Sequence, residues 1–490
     1  MNKKPLPIGN DEFREVREQG YYYIDKSLMI RDFLVMGDKV ALIARPRRFG
    51  KTLNMTMMRE FFDITVESRQ IFDRLAISNT SFAKQMNSCP VIFLTLKNCK
   101  GATADELIFT LKKELLREFL RYEAVAEEKL DHDSYDYENY RDILNTLKDK
   151  NSSYIYLTTS LVDFTRIVAA CYGISPILLI DEYDQPIMSS YEYNYHDTLG
   201  TFFSTFFGAA LKGNPSLGHA LLTGIQRVAK ESIFSQLNNP KVYTVMSHQY
   251  APYFGLTAGE TETLLNAYGL SLTTDVQQMY DGYLFSGIGM YNPWSILNYA
   301  DNAFLDNYWT NTSSNYLIRQ ALEKATASFW QDFDVLASGA ETTVWLNLDT
   351  SYVERESNYS LWGLLVNAGY LTVIKRNDAT STVVKIPNNE VMTEFLMLGM
   401  CMTLRGSYEV TSNLEAGLGR SDITLRALIP NKPHIIIEFK QGIDLETLAK
   451  EALDQIMKQE YYHTLRGNIL CIGLAHDKKR CKIKHEMINN

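Results

Sequence analysis

The chain has 490 residues, 46% of them hydrophobic, with 13 prolines and a formal net charge of −9. That length exceeds one ordinary core and points to roughly three domains, and the composition is that of a folded chain rather than a disordered one. The charge argues against a chain coated in nucleic acid, although a local basic groove is invisible in such a sum. No continuous run of about eighteen apolar residues occurs, and MNKKPLPIGNDEF lacks the apolar core of a signal peptide, so a cytoplasmic location with no membrane partner is expected. Six scattered cysteines (Cys89, Cys99, Cys171, Cys401, Cys471, Cys481) contain no CxxC pair, which indicates neither a zinc site nor a disulfide framework.

In chain order, Tyr21 to Ile24 reads as a short strand, Lys26 to Met36 as a helix, and Val40 to Ala44 as a strand buried on both faces. A basic turn and a helix from Lys51 to Phe62 follow. Pro90 to Leu96 is a second buried strand, and Asp105 to Tyr122 has helical spacing. Tyr122 to Tyr140 is acidic and tyrosine-rich with little periodicity, which predicts a surface insertion. Ser160 to Cys171 resumes a helix, Pro176 to Ile180 (PILLI) is a strand ending in Asp181-Glu182-Tyr183-Asp184, and Gly218 to Leu222 is a strand running into Thr223-Gly224-Ile225-Gln226-Arg227. Strand and helix alternate as a doubly wound sheet requires.

From Gln249 the pattern changes to short helices interrupted by aromatic turns, Tyr280-Asp281-Gly282-Tyr283 and Tyr291-Asn292-Pro293-Trp294. A helix from Leu361 to Ala368 with strands Tyr370 to Ile374 and Thr382 to Ile386 leaves a winged-helix element and a plain packing module both open. After Pro387 the order is helix (Glu390 to Leu404), strands (Tyr408 to Thr411, Ser421 to Leu428, His434 to Lys440), helix (Leu445 to Tyr461) and strand (Asn468 to Leu474), that is α-β-β-β-α-β. The basic run Lys478 to Lys484 is expected to fray. The expected architecture is α/β: a P-loop NTPase-like parallel sheet with flanking helices over residues 1–248, a helical, winged-helix-like domain over 249–387, and a restriction-endonuclease-like domain over 388–490.

The stretch VALIARPRRFGKTLNM joins an apolar strand to Gly50-Lys51-Thr52 at a helix start. Backbone N–H groups there, a glycine permitting close approach, a lysine for the β/γ-phosphates and a hydroxyl for Mg²⁺ are what a nucleoside triphosphate needs. Arg45 replaces the first glycine of G-x-x-x-x-G-K-[ST], and Arg45, Arg47 and Arg48 either add charge around the polyphosphate or form a solvated basic loop. Asp181 closes a buried strand, where an open parallel sheet places ligands, and is a candidate to hold Mg²⁺, with Glu182 beside it to polarise the attacking water. Thr223 is a candidate γ-phosphate sensor and Arg227 a candidate for compensating transition-state charge, against ordinary loop roles for both.

The runs RPRRFGKT, DEYDQPI, LLTGIQRVAKESIFSQLNN, MYDGYLF and YNPWSILNY together resemble the bacterial AAA-ATPase-like family, which is commonly joined to a C-terminal PD-(D/E)XK nuclease-like domain. The resemblance covers nearly the whole chain, and arginine at position 45 is part of that family's pattern. It implies ATP and Mg²⁺ as cofactors, DNA as a partner, and a role in defence against mobile DNA or in its maintenance.

In HIIIEFK, period-two alternation sets Glu438 and Lys440 on one strand face and Ile435, Ile437 and Phe439 on the other. Asp422, on the preceding strand after Gly417-Leu418-Gly419-Arg420-Ser421, is placed to meet Glu438 across a hairpin. Two carboxylates bind a divalent metal through oxygen, and Lys440 is suited to orienting or deprotonating water for attack on a phosphodiester. Gln455 on the next helix completes the group. A surface ion pair is the plain alternative for Glu438 and Lys440. Glu394 is a candidate third metal ligand, in competition with Glu390 and Glu415. Three readings result: an ATPase that gates an Mg²⁺-dependent DNA endonuclease, a nucleotide-switched DNA-binding or scaffold protein that does not cleave, or an ATP-driven remodeller of proteins. A homo-oligomer is left open.

Overall fold

The computed structural model describes residues 3–226, 240–309, 316–348, 358–378, 381–403, 407–416, 419–442, 444–476 and 480–490. Two compact units result, residues 1–309 with 314–392, and 393–490 with 310–313. Strands are numbered in chain order throughout.

The first unit is built on β1 (Val40–Ala44), β2 (Val91–Thr95), β3 (Ile177–Asp181), β4 (His219–Gly224) and β5 (Lys241–Tyr243). Their order is β2-β3-β4-β1-β5 and every pairing is parallel. Continuous apolar runs such as VALIA and ILLID suit strands covered by helices on both faces. Leu42, Ile92, Leu178 and Leu222 enter one core with Leu107, Leu111 and Leu115 of the helix Ala104–Arg121 and Phe202, Phe203 and Phe206 of the helix His196–Leu211. The parallel direction brings Ala44, Asp181 and Gly224 to the same sheet end.

Two expectations fail here. Tyr21 to Ile24 is not a strand: Tyr22 packs edge-on against Tyr268 at 5.7 Å and Tyr23 against Phe13 at 5.3 Å, so neighbouring rings serve tertiary contacts instead of a ladder. Nor is Tyr122 to Tyr140 a surface insertion. It contains the helix Glu123–Lys129 and the start of Tyr135–Lys148, whose Tyr140, Ile143, Leu144 and Leu147 form a buried stripe at helical spacing. Tyr140 is fully buried, and its hydroxyl donates to the Phe119 carbonyl at 2.8 Å. Most of that stripe lies beyond the stretch considered from sequence.

The remainder of the first unit includes the helices Ala258–Ala267, Thr274–Tyr280 and Pro293–Asn302. An unexpected hairpin, β6 (Tyr283–Phe285) and β7 (Ile288–Met290), stands among them. Its turn is Ser286-Gly287, both at positive φ (50° and 83°), as two-residue hairpins require. Further on, β8 (Thr342–Trp345), β9 (Thr372–Arg376) and β10 (Ser381–Lys385) form an antiparallel sheet in the order β8-β10-β9 beside the helix Asn358–Ala368.

The second unit carries β11 (Tyr408–Ala416), β12 (Gly419–Ala427), β13 (His434–Gln441), β14 (Asn468–His476) and β15 (Cys481–Asn489) in sequential order. Only β13 and β14 are parallel among these neighbours, and the helix Leu445–Lys458 makes the crossover between them. From Cys481 the basic run does not fray: Cys481 to Asn489 pairs along the whole of β14, and Lys482 and Lys484 both reach Glu446, whereas residues 477–479 lie outside the described residues. Among the described residues no helix is long and apolar enough to cross a membrane.

Glu390 opens the helix Asn389–Thr403 and is fully buried. Its carboxyl accepts from Ser295 Oγ (2.9 and 3.1 Å) and from the Trp309 N–H (2.7 Å), and burial pushes its pKa up to about 8. A carboxyl whose pKa is raised on folding takes up a proton as the chain folds, so its contribution is fully present below its unfolded pKa and is lost as pH rises towards 8. Denaturant titrations between pH 5 and 8 are expected to show stability falling with pH in the wild type, and a flatter profile in Glu390→Gln. Equal slopes in the two proteins would show that Glu390 is ionised in the folded state.

Candidate functional site

The first site is assembled where β1, β3 and β4 end. Gly50 adopts φ +80° as the residue capping the helix Lys51–Phe62, a left-handed conformation that a side chain would strain. Thr52 Oγ1 donates to Asp181 Oδ2 at 2.8 Å, and Thr223 Oγ1 donates to Asp181 Oδ1 at 2.6 Å. One carboxylate therefore joins the Thr52 hydroxyl to the end of β4. Lys51 is nearly buried; its Nζ donates to the carbonyls of Arg45 (3.3 Å) and Pro46 (3.2 Å) and lies 3.6 Å from Glu182 Oε1. Glu182 sits at φ +54°, a sparsely populated conformation for a non-glycine residue, and so faces the loop instead of continuing the strand. Gly50, Lys51, Thr52, Asp181, Glu182 and Thr223 are thus brought together.

Asp184, a residue not singled out from sequence, is fully buried and accepts the N–H groups of Ile225 (2.9 Å) and Gln226 (3.1 Å). Tyr183 adds a hydrogen bond from its hydroxyl to the Gln226 carbonyl. Gly224 is required at this crossing, because a Cβ there would lie 2.7 Å from Asp184 Oδ1 and from the Tyr183 ring. The second aspartate of DEYD was the available signal. Burial first, and then the Glu182 carboxylate, raise the pKa of both Asp181 and Asp184. A divalent cation reverses that penalty by favouring the charged form. The Thr52 hydroxyl and the Asp181 carboxylate are hard oxygen donors side by side, which fits Mg²⁺.

The arginines divide. Arg45 does not face the loop opening. It is fully buried between the rings of Phe254 and Phe285 (5.4 and 5.3 Å), and its Nη1 donates to the Ala44 and Tyr243 carbonyls (2.9 and 3.0 Å). Burial lowers its pKa to about 9. Arg45 is accordingly an anchor of the loop, correcting the expectation of a polyphosphate ligand; an arginine's flat apolar faces can be enclosed by aromatic rings. Arg48 is exposed, at φ +68°, with its guanidinium 4.1 Å from the Trp294 ring centre, and Arg47 is half-buried beside it. Arg227 lies outside the described residues.

The second site lies on β12, β13 and the crossover helix. The register pairs Ile423 with Ile437, so Asp422 and Glu438 follow on neighbouring strands. The Asp422 N–H donates to Glu438 Oε2 (3.3 Å), and the Phe439 N–H donates to Asp422 Oδ2 (2.8 Å). Gln455 is the bridge: its Nε2 donates to Glu438 Oε1, while its Oε1 accepts from Lys440 Nζ at 3.1 Å. Tyr461, missed from sequence, is buried with its hydroxyl 3.3 Å from Gln455 Nε2. Asp422, Glu438, Lys440 and Gln455 therefore form one hydrogen-bonded group, not a surface ion pair.

Glu394 is buried on the helix Asn389–Thr403, Glu390 is committed to Ser295 and Trp309, and the side chain of Glu415 lies outside the described residues. Among the described residues no cluster of three or more His, Cys, Asp or Glu side chains forms a ready metal cage. Two carboxylates suit a hard cation that takes its other ligands from water, backbone or substrate phosphate.

A family profile described as a predicted AAA-ATPase matches residues 7–234, and one described as the PD-(D/E)XK nuclease superfamily matches residues 388–486. The chain is also similar to an uncharacterized protein in the vnfD 5' region of Azotobacter chroococcum mcd 1, with 24% identity over 414 residues, which are 81% of this chain and 71% of the relative. Residues 7–234 are therefore similar to the predicted AAA-ATPases and residues 388–486 to the PD-(D/E)XK nuclease superfamily.

Proposed function

We propose that the chain binds and hydrolyses ATP, and that its nucleotide state gates an Mg²⁺-dependent DNA endonuclease. The observation that carries this reading is that one chain holds both a Thr52–Asp181–Thr223 cluster facing Lys51 and Glu182, and an Asp422–Glu438–Gln455–Lys440 cluster. The proposed domains are 1–248, 249–387 and 388–490.

At the first site Lys51 exchanges the Arg45 and Pro46 carbonyls for phosphate oxygens, Arg47 and Arg48 add positive charge at the rim, and Glu182 accepts a proton from the attacking water. Thr223 links the end of β4 to Asp181 and so to whatever occupies the γ-phosphate position, and Arg227 is assigned to transition-state charge. At the second site Asp422, Glu438 and Glu394 are assigned as oxygen ligands, Lys440 orients and deprotonates the attacking water, and Gln455 fixes both Glu438 and Lys440. Mg²⁺, when bound at either site, neutralises phosphate charge. A cytoplasmic location is part of this reading, and a role in defence against mobile DNA, or in its maintenance, is what the family resemblance implies.

ATP turnover and DNA cleavage measured together, with and without Mg²⁺, test both halves. Lys51→Ala and Glu182→Gln are expected to lower ATP turnover by roughly 100-fold or more, and unchanged turnover would remove the nucleotide assignment. Lys440→Ala is expected to abolish cleavage while leaving ATP turnover intact. Gln455→Ala, which removes a partner supporting a ligand and a catalytic group, is expected to lower cleavage by about 10- to 100-fold. A wild-type protein that binds DNA in a salt-sensitive manner yet never cuts it would replace the nuclease by a nucleotide-switched DNA-binding protein.

A further inference from the structure

The segment MYDGYLF (Met279 to Phe285), whose Phe285 ring also encloses Arg45, stands between the phosphate loop and the start of the helix Asn389–Thr403. On the loop side, the Phe49 ring, next to Gly50, meets Tyr283 edge-on at 4.9 Å and Phe285 at 5.1 Å. On the other side, Asn388 Nδ2 donates to the Asp281 carbonyl at 2.8 Å. Gly282, at φ +100°, lies so close to Pro387 that a Cβ would collide with the Pro387 carbonyl. Asn388 is also the cap of the next helix, since its Oδ1 accepts the Val391 N–H at 3.0 Å. That helix continues past Met392, the last residue of the first compact unit, to Thr393 and Glu394 of the second.

The path is close-packed. Phe49, Tyr283 and Phe285 are each almost wholly buried, and packed interiors pass on displacement because they have few voids to absorb it. Tyr283 contributes through its ring, since its buried hydroxyl has no hydrogen-bond partner among the described residues. We propose that Tyr283 and Asn388 are positioning residues that relay the state of the phosphate loop to the head of the helix entering the nuclease-like unit. The proposal rests on reading residues 45–52 as a nucleotide site.

Amide hydrogen exchange of the full chain, with Mg²⁺ and a non-hydrolysable ATP analogue, tests the relay without relying on DNA cleavage. In the wild type, nucleotide is expected to change exchange rates by ~threefold or more both at residues 45–52 and at residues 387–395. Asn388→Asp keeps the helix cap but loses the donor to Asp281, and Tyr283→Ala removes the ring. Both are expected to retain the response at 45–52 and lose it at 387–395, whereas Tyr283→Phe is expected to keep both. A wild-type response at 45–52 with none at 387–395 overturns the relay and leaves nucleotide binding standing, as does a response at 387–395 that survives in Asn388→Asp. A wild type that responds at neither segment removes the nucleotide reading, and the relay with it. Should Tyr283→Ala fail to fold, Asn388→Asp and Tyr283→Phe still decide.

Discussion

Much of the first unit depends on one buried carboxylate. Asp181 occupies the end of β3 and takes a hydroxyl donor from each side, Thr52 from 129 positions before it and Thr223 from 42 positions after it. Placing a charged group in such an interior is unfavourable unless its oxygens are satisfied, and removing one partner of a buried charge typically costs about 3–5 kcal/mol. The sheet order answers that requirement. Because β4 lies between β3 and β1, Thr223 and the helix Lys51–Phe62 approach Asp181 from the same end of the sheet. Asp184 repeats the device a turn later with backbone N–H groups as donors. Both carboxylates hold the end of β4 against the end of β3, so the segment that leaves β4 starts from a fixed point.

The C-terminal unit solves a similar problem with a side-chain amide. Gln455 has a donor and an acceptor on one group, so it can satisfy a carboxylate and an ammonium at once. The helix that supplies it is the parallel crossover between β13 and β14, an arrangement that sets the helix across the sheet face. Strand alternation then decides which side chains it meets: Glu438 and Lys440 on one face, and the apolar residues of HIIIEFK packing elsewhere. Ile436, by contrast, is buried with Ile456 and Tyr461 in the small core beneath the helix.

Sequence made the strands easiest to read. Val40–Ala44 and the helix Lys51–Phe62 have the boundaries expected, because a continuous apolar run and a Gly-Lys-Thr helix start are local signals. Asp422, Glu438, Lys440 and Gln455 were legible because strand period and helix order fix their placement. What escaped was tertiary. Arg45 looks like any loop arginine until Phe254 and Phe285, more than two hundred residues away, close over it. Tyr140 looks like part of a polar tyrosine-rich tract unless the stripe through Leu147 is counted with it. The β6–β7 hairpin is three residues per strand, too short for alternation to register. The tail is basic, and only its pairing with β14 and the carboxylate of Glu446 make it a strand.

The enclosure of Arg45 also bears on how the polypeptide can be divided. Its cationic group lies among Tyr243, Phe254 and Phe285, while Asn54 of the phosphate-loop helix donates to the Tyr253 carbonyl and Lys26 reaches both Glu260 and the Pro252 carbonyl. A fragment ending at residue 248 would leave that guanidinium, the loop carbonyls around it and the Lys26 ammonium facing solvent where walls had been. Side chains on either side of the change of pattern at residue 249 therefore pack against one another. A fragment that keeps these contacts extends at least through the hairpin.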